Sequence, residues 1–249
     1  MAGPLEQFEI KPIGEPITLA GMDISFTNSA AYMVGVAGLL TAFVLLGTRD
    51  RAMVPGRLQS VVEMSYEFVA GMVRDNIGSR GRQFFPFVFS LFMFVLAANL
   101  VGLLPYAFTV TSHLAVTFAL AIGIFFAVVI IGLARNGLHF FSLFMPPGTP
   151  LVLAPLIVLI EVFSFLVRPV TLSVRLFANM TAGHILLKVF AGFIVSLGAA
   201  GGAMAALGVL PFLMIVAFQA LELLVAAAHA YVFALLTCVY LNDAVNVGH

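Results

Sequence analysis

The strongest constraint on the fold is a series of long stretches that contain no charged residue and no histidine. Residues 24–48, 83–112 and 114–134 are of this kind. The 249-residue chain is 62% hydrophobic and only 9% charged, and a soluble globule of this size needs more polar cover than that. Since about 20 apolar residues in a helix cross the hydrocarbon layer, we predict an all-α integral membrane protein with about five transmembrane helices.

The predicted elements follow from the distribution of charge and of Pro and Gly. A single membrane domain, 1–249, begins with an N-terminal extramembrane segment at 1–25 and has transmembrane helices at 26–47, 84–104, 114–135, 150–190 and 206–241. The fourth stretch is too long for one perpendicular span. It therefore predicts a tilted or bent helix, with Pro169 as the position of the kink.

An amphipathic helix is predicted at residues 57–78, between the first two spans. Its apolar residues are predicted on one side and its charged residues on the other, the apolar set being Leu58, Val61, Val62, Phe68, Val69 and Met72. This pattern is typical of a helix that lies at the membrane surface or against a partner subunit. An ordinary solvated connecting helix is the alternative.

The distribution of arginine predicts the orientation in the membrane. The loop between the first two spans is the most basic, with Arg49, Arg51, Arg57, Arg74, Arg80 and Arg82. Basic loops stay on the cytoplasmic side, so the N-terminus is expected outside and, after five spans, the C-terminus inside.

Ionisable residues inside the last two predicted spans are the most informative feature for function. Each costs roughly 2.5–3.5 kcal/mol to insert, and the set comprises Glu161, Arg168, Arg175, His184, Glu222 and His229. Glu161, Arg168 and Arg175 are seven residues apart, which keeps them on one helix face within about 20° per step. Asn179 follows Arg175 by one turn on that face.

Antiparallel pairing of the last two helices predicts two polar layers. If His184 is level with Glu222, Arg175 comes level with His229 to within roughly 3 Å. The outer imidazole–carboxylate pair is suited to proton relay. The inner layer of Arg175, Asn179 and His229 holds a permanent positive charge, because arginine keeps its proton in proteins. Such a cation blocks a proton leak and attracts a carboxylate, which would have to come from another subunit.

Other interpretations of these residues are simpler. Arg168 and Lys188 can snorkel toward the interface, Arg175 can belong to a structural ion pair, and Cys238 can be a small packing residue. The sequence contains no metal-ligand spacing, no nucleophile elbow, no phosphate loop and no basic block for nucleic acid. We therefore expect no metal, no cofactor and no catalytic residue in an enzyme's sense.

Two segments of the chain resemble a known family. RPVTLSVRLFANMTAGH (168–184) and LELLVAAAHAYVFALLTCVYLND (221–243) closely resemble the a subunit of F-type ATP synthases. Supporting matches are PLEQFEI near the N-terminus, VPGRLQSVVE at 54–63 and NLVGLLPY at 99–106.

The resemblance implies a non-catalytic stator subunit that passes protons through two half-channels against a rotating ring of c subunits. It implies peripheral-stalk b subunits as further partners and an inner membrane, bacterial or mitochondrial, as the location. Arg175 would face the ring carboxylate with Asn179 beside it, and His184 and Glu222 would form the outer half-channel. Glu161 would belong to the inner half-channel, while His229, where a glutamine is common, would be either a neutral hydrogen bonder or a titrating group. The last two helices would be long and steeply tilted.

Two other classes of function remain as alternatives. A secondary transporter would require paired repeats and a substrate site of its own, and no such repeats are visible. A membrane-embedded enzyme would require a nucleophile or metal constellation.

Overall fold

Long helices dominate the computed structural model of this chain, which describes residues 10–13, 18–19, 22–23, 25–49, 52–104, 107–145 and 153–245. The helices are α1 (Asn28–Gly47), α2 (Arg57–Ile77), α3 (Phe85–Gly102), α4 (Leu114–Asn136), α5 (Ala154–Ala200), α6 (Gly202–Leu207) and α7 (Val209–Val245). Short 3-10 helices lie at Gly78–Phe84, Val110–Ser112 and Gly137–Phe144. Before α1, the two-residue strands β1 (Thr18–Leu19) and β2 (Met22–Asp23) pair antiparallel.

Five helical segments within the described ranges are long and apolar enough to cross a membrane. They contain α1, α3, α4, α5 and α7, which confirms the prediction of an all-α membrane protein with five spans. α5 has 47 residues. At 1.5 Å per residue that is about 70 Å, more than twice the hydrocarbon thickness of about 30 Å. α5 therefore cannot cross the bilayer perpendicular to it without leaving the hydrocarbon at one end.

The last two long helices extend beyond the C-terminal ends of the spans predicted for them. α5 continues ten residues beyond the predicted end at 190, because residues 191–200 contain neither proline nor charge. It stops where Gly201 and Gly202 take positive φ angles of 69° and 57°, a conformation that favours glycine. α7 begins at Val209 after the separate short helix α6, and it ends at Val245 rather than at 241. Its extra turn is supported by Asn136, whose Nδ2 donates to the carbonyl of Ala244 at 2.5 Å.

The described residues fall into two compact units of the chain. The first comprises parts of Met1–Thr41, Phe94–His113 and Leu176–His229, and the second comprises parts of Ala42–Met93, Leu114–Arg175 and Ala230–His249. That the whole chain acts as a single membrane domain stays a prediction.

Small residues and aromatic rings form the packing within each unit. In the first unit, α1 meets α3 at a cluster of Val36, Ala97 and Ala98. In the second, the rings of Phe125, Phe140, Phe144 and Phe165 lie in contact, with centroid distances from 4.9 to 6.4 Å. Helices in a membrane associate through such close packing, because lipid is as apolar as their side chains.

α2 is amphipathic, and only part of its predicted apolar side is buried within the chain. Its buried residues are Val62, Val69, Met72, Val73 and Ile77. Leu58, Val61 and Phe68 are between 44% and 49% exposed. The reason is that apolar residues cover more than one face of α2, and packing within the chain uses only one of them.

Gly132 provides a test of this packing. A methyl group at this position would overlap the ring of Phe140 and lie 3.3 Å from Cβ of Ala244. We expect Gly132→Ala to lower the stability of the purified subunit by about 1–3 kcal/mol, as overpacking does. The measurement is the midpoint of thermal unfolding in detergent, followed by circular dichroism.

Gly123→Ala is the matched control on the same helix. A methyl group there meets nothing within 4 Å, so the variant should be neutral or gain up to about 1 kcal/mol of helix propensity. Equal unfolding midpoints for the two variants would contradict the packing described here.

Candidate functional site

All six predicted site residues lie on α5 and α7. Arg175 and Asn179 are exposed, and the half-buried members are Glu161, His184, Glu222 and His229. In the first unit the two helices run antiparallel, because Glu222 lies against Gly183 and the rings of Phe190 and Phe218 stack with centroids 5.5 Å apart. Glu222 thus lies at the level of the residue that precedes His184.

A hydrogen-bond chain connects His184 to the end of α3. Its Nε2 lies 3.0 Å from Oγ1 of Thr109. The same hydroxyl donates to the carbonyl of Gly102 at 3.2 Å. A threonine hydroxyl can donate one hydrogen bond and accept another, so Thr109 joins His184 to the backbone of α3. Sequence reasoning missed Thr109, which lies 75 residues before its partner in a loop between spans.

The loop that carries Thr109 is buried against α5. Thr109, Thr111 and Ser112 are all less than 5% exposed. Thr181 on α5 donates from Oγ1 to the carbonyl of Ser112 at 3.3 Å, one turn before His184. At the end of the loop the His113 ring stacks on Phe108 with centroids 4.8 Å apart. Burial lowers the pKa of His113 below its usual value of 6.5, so this histidine remains neutral at pH 7.

Glu222 occupies space that only a glycine on α5 leaves open. A methyl group at position 183 would overlap the carboxyl group of Glu222, which therefore touches the backbone of α5. Its Oε2 is buried and has no hydrogen-bond partner among the residues that the structure describes. The proton relay expected of Glu222 stays a prediction.

An amide on α3 extends the polar region of the first unit. Asn99 is fully buried, and its Nδ2 donates to the carbonyl of Ala226 at 3.2 Å, one turn after Glu222 on α7. Its Oδ1 is also buried and has no partner in the described part of the chain. Sequence reasoning did not select Asn99, although a lone amide in the apolar run of α3 was a usable signal.

His229 has a defined proton position. Its Nδ1 lies 2.8 Å from the carbonyl of Val225, one turn earlier on α7. A carbonyl can only accept, so Nδ1 carries a proton. The prediction that His229 shares a layer with Arg175 and Asn179 stays a prediction.

The second unit holds an ion pair that the sequence analysis did not predict. Nη1 of Arg168 lies 3.3 Å from Oδ2 of Asp243, so Arg168 does not simply snorkel. Its guanidinium also lies over the rings of Tyr240 and Phe165, at 4.9 and 5.5 Å from their centroids. The predicted antiparallel register, with His184 opposite Glu222, places position 168 opposite 238, about 7.5 Å from Asp243 along the helix. That offset of more than one helical turn is too large for the register to have selected Asp243.

Arg175 differs from Arg168 in its environment. It is exposed, and the described residues place no carboxylate within ion-pair distance of it. Beside it α5 exposes a stripe of apolar side chains at helical spacing, namely Leu159, Phe163, Leu166, Val170 and Val174. Across the described ranges, no group of three or more His, Cys, Asp or Glu residues is arranged to hold a metal ion.

These features define a polytopic membrane protein that holds ionisable side chains inside its spans. Residues 30–242 match the family model of the ATP synthase A chain. Subunit a of ATP synthase from Chelativorans sp. (strain BNC1) is 61% identical over 246 residues, which cover 99% of this chain and 98% of that protein. The corresponding subunit from Rhodospirillum rubrum is 55% identical over 247 residues, or 99% of this chain and 100% of that protein.

The chain belongs to the ATP synthase A chain family. This confirms the resemblance drawn from the sequence. Membership makes the chain a membrane subunit of the Fo sector and, with its five apolar helices, a multi-pass protein of an inner membrane.

Gly183 tests the placement of Glu222. In the assembled complex, we expect Gly183→Ala to slow ATP-driven proton pumping about tenfold, because the new methyl group displaces the carboxyl group. Pumping is measured in inside-out membrane vesicles with a pH-sensitive dye. Gly192→Ala on the same helix is the control, since a methyl group there meets nothing within 4 Å. Equal rates for both variants would show that Glu222 does not need this space.

Thr109 tests the hydrogen bond to His184. Thr109→Val keeps the shape of the side chain but removes the hydroxyl partner of Nε2, and leaving a half-buried polar group unsatisfied costs about 1–3 kcal/mol. We expect pumping to fall roughly three- to tenfold, while Thr109→Ser retains the wild-type rate. If the valine and serine variants pump equally well, His184 does not depend on this hydroxyl.

Proposed function

We propose that this chain passes protons through two half-channels that are separated by Arg175. As a member of its family, the chain is the proton-channel stator subunit of the ATP synthase Fo sector. It performs no catalytic step of its own in this proposal, and ATP chemistry takes place in other subunits. The electrochemical gradient supplies roughly 2.3 kcal/mol per charge per 100 mV.

The outer half-channel in this proposal uses the polar groups of the first unit. His184 and Glu222 exchange protons with water, and Thr109 and Asn99 hold the neighbouring polar groups in place. The support is that Glu222 lies beside Gly183 and that its Oε2 has no hydrogen-bond partner among the described residues. A carboxyl group without a strong partner can gain and lose a proton at low cost.

The inner half-channel and its barrier are proposed from the register of α5. Glu161 accepts protons on the way to the inner side, and Arg175, with Asn179 one turn further, prevents a direct leak. His229 supplies a hydrogen-bonding group near this barrier, with Nδ1 already engaged by Val225. A guanidinium cannot relay protons, so it can only attract and release a carboxylate that moves past it.

The moving carboxylate is proposed to belong to a ring of c subunits. The observation that carries this proposal is that Arg175 is exposed and unpaired within the described chain, next to the apolar stripe from Leu159 to Val174. An exposed cation beside an apolar helix face suits a partner that brings a carboxylate on an apolar surface. Peripheral-stalk b subunits are the second proposed partner. The orientation proposed is N-terminus outside and C-terminus on the cytoplasmic or matrix side, from the arginine-rich loop after α1.

Arg175→Ala tests the proposed barrier. We expect the complex to assemble but to lose proton-driven ATP synthesis, because no charge remains to attract the ring carboxylate. Passive proton leak through the membrane should rise, since the barrier between the half-channels is removed. Both are measured in vesicles, synthesis by luciferase and leak by the decay of an imposed pH gradient.

Arg74→Ala is the control, because it removes an exposed guanidinium from α2 rather than from α5. It should keep both the synthesis rate and the low leak. Normal synthesis by Arg175→Ala would contradict the proposed function.

A further inference from the structure

Two arginines on α5 face the same way but have different partners. Arg168 and Arg175 are seven residues apart, about 10 Å along the helix and within about 20° in direction. Arg168 is paired with Asp243, whereas Arg175 has no ion-pair partner in the part of the chain that the structure describes. A carboxylate that moves along this face would therefore meet one neutralised and one uncompensated guanidinium.

We infer that Asp243 and the ring of Tyr240 neutralise Arg168. Of these two arginines on α5, only Arg175 then binds a rotor carboxylate. Arg168 and Asp243 are positioning residues in this inference, since neither carries the transported proton. The inference rests on the proposed function, in which Arg175 receives the carboxylate of a ring subunit.

The contacts of Arg168 are suited to neutralisation. Asp243 provides the opposite charge at 3.3 Å, and Tyr240 provides the face of an aromatic ring at 4.9 Å. An ion pair and a cation–π contact both weaken the field of the guanidinium at a distance. The half-buried side chains, with 27% of Arg168 and 32% of Asp243 exposed, keep water from screening the pair fully.

The space around the pair also favours a fixed arrangement. A cavity of about 10 Å³ borders Arg168, Pro169 and Tyr240, and it is enclosed mainly by apolar side chains of α4 and α5. That volume holds no more than about one water molecule. A larger water-filled space would allow the guanidinium to turn away from Asp243 and toward a passing carboxylate.

Other charged residues of the second unit interact electrostatically with the residues around this ion pair, but none of them takes the place of either member. Glu161, seven residues before Arg168 on α5, interacts electrostatically with Asp243. Arg175 acts in the same way on Tyr240. Loss of Asp243 would therefore leave Arg168 without its ion-pair partner. Arg168 would then present a second attractive position about 10 Å from Arg175 and slow the passage of the ring carboxylate.

The test compares three variants of the intact ATP synthase in membrane vesicles, namely Asp243→Asn, Arg168→Gln and the double variant. We expect Asp243→Asn to synthesise ATP at least about tenfold more slowly than the wild type, because it exposes a second cation. The double variant removes that cation and should recover to within about threefold of the wild-type rate. Asp75→Asn on α2 makes the same chemical change at an exposed position and should have the wild-type rate.

Recovery in the double variant separates neutralisation from the other roles that these residues can have. If Asp243 itself passes protons, the double variant stays as slow as Asp243→Asn, which would overturn the inference. If the ion pair only holds α5 to α7, Asp243→Asn lowers the amount of assembled complex while the synthesis rate per assembled complex stays at the wild-type value, which would also overturn it. ATP synthesis by Asp243→Asn at the wild-type rate would also overturn the inference.

Assembly is measured by the amount of the chain in purified complex. Should Asp243→Asn fail to assemble, the exchange variant Arg168→Asp with Asp243→Arg keeps one neutral pair at the same place. It should synthesise ATP within several-fold of the wild type, and an assembled but inactive exchange variant would overturn the inference. Arg175→Ala separates the two proposals: if it retains synthesis, the proposed function fails, and if it abolishes synthesis while the double variant does not recover, only this inference fails.

Discussion

Charge is poorly solvated inside a bilayer, and every ionisable side chain on α5 and α7 has to be satisfied by the protein itself. The chain meets this requirement in different ways along the two helices. His184 is held by a hydroxyl, His229 by a backbone carbonyl, and Arg168 by a carboxylate and two rings. Arg175 differs, because no carboxylate of the described residues lies within ion-pair distance of it, and Oε2 of Glu222 has no hydrogen-bond partner among those residues either.

The type of partner determines what each group can do. A neutral hydroxyl or carbonyl orients an imidazole without placing an opposite charge beside it. Arg168 instead has an opposite charge beside it, because Oδ2 of Asp243 lies 3.3 Å from Nη1. The same helix pair thus carries imidazoles with neutral partners and an arginine with a charged one. The arrangement suits a protein in which protons must follow one route and avoid another.

Close approach of helices is what allows polar groups to meet inside the chain. Glu222 reaches the backbone of α5 because position 183 has no side chain, and Thr109 reaches Gly102 for the same reason. Small residues let backbones come near to one another in a membrane, where lipid gives no hydrophobic drive for association. The glycines in α3 and α5 therefore contribute to the polar site as much as the ionisable residues do.

The sequence by itself determined the number of spans, their approximate positions and the family. Long uncharged stretches admit no other cover than lipid, and the block RLFANMTAGH is specific. The sequence also indicated the ionisable residues of α5 and α7 as site residues, since inserting each of them within an apolar segment costs free energy. Their proposed roles remain to be tested by the variants above.

Only the tertiary structure decided which partner each of those residues has. Thr109 with His184, and Arg168 with Asp243, are both 75 residues apart, so no local pattern joins them. The tertiary structure also decided which face of α2 is buried and where α5 and α7 end. A helix end depends on backbone conformation, as at Gly201, and on a donor from elsewhere in the chain, as Asn136 supplies to Ala244. The periodicity of a sequence indicates which residues are apolar. Contacts between helices depend on how closely their backbones approach, and periodicity does not predict that distance.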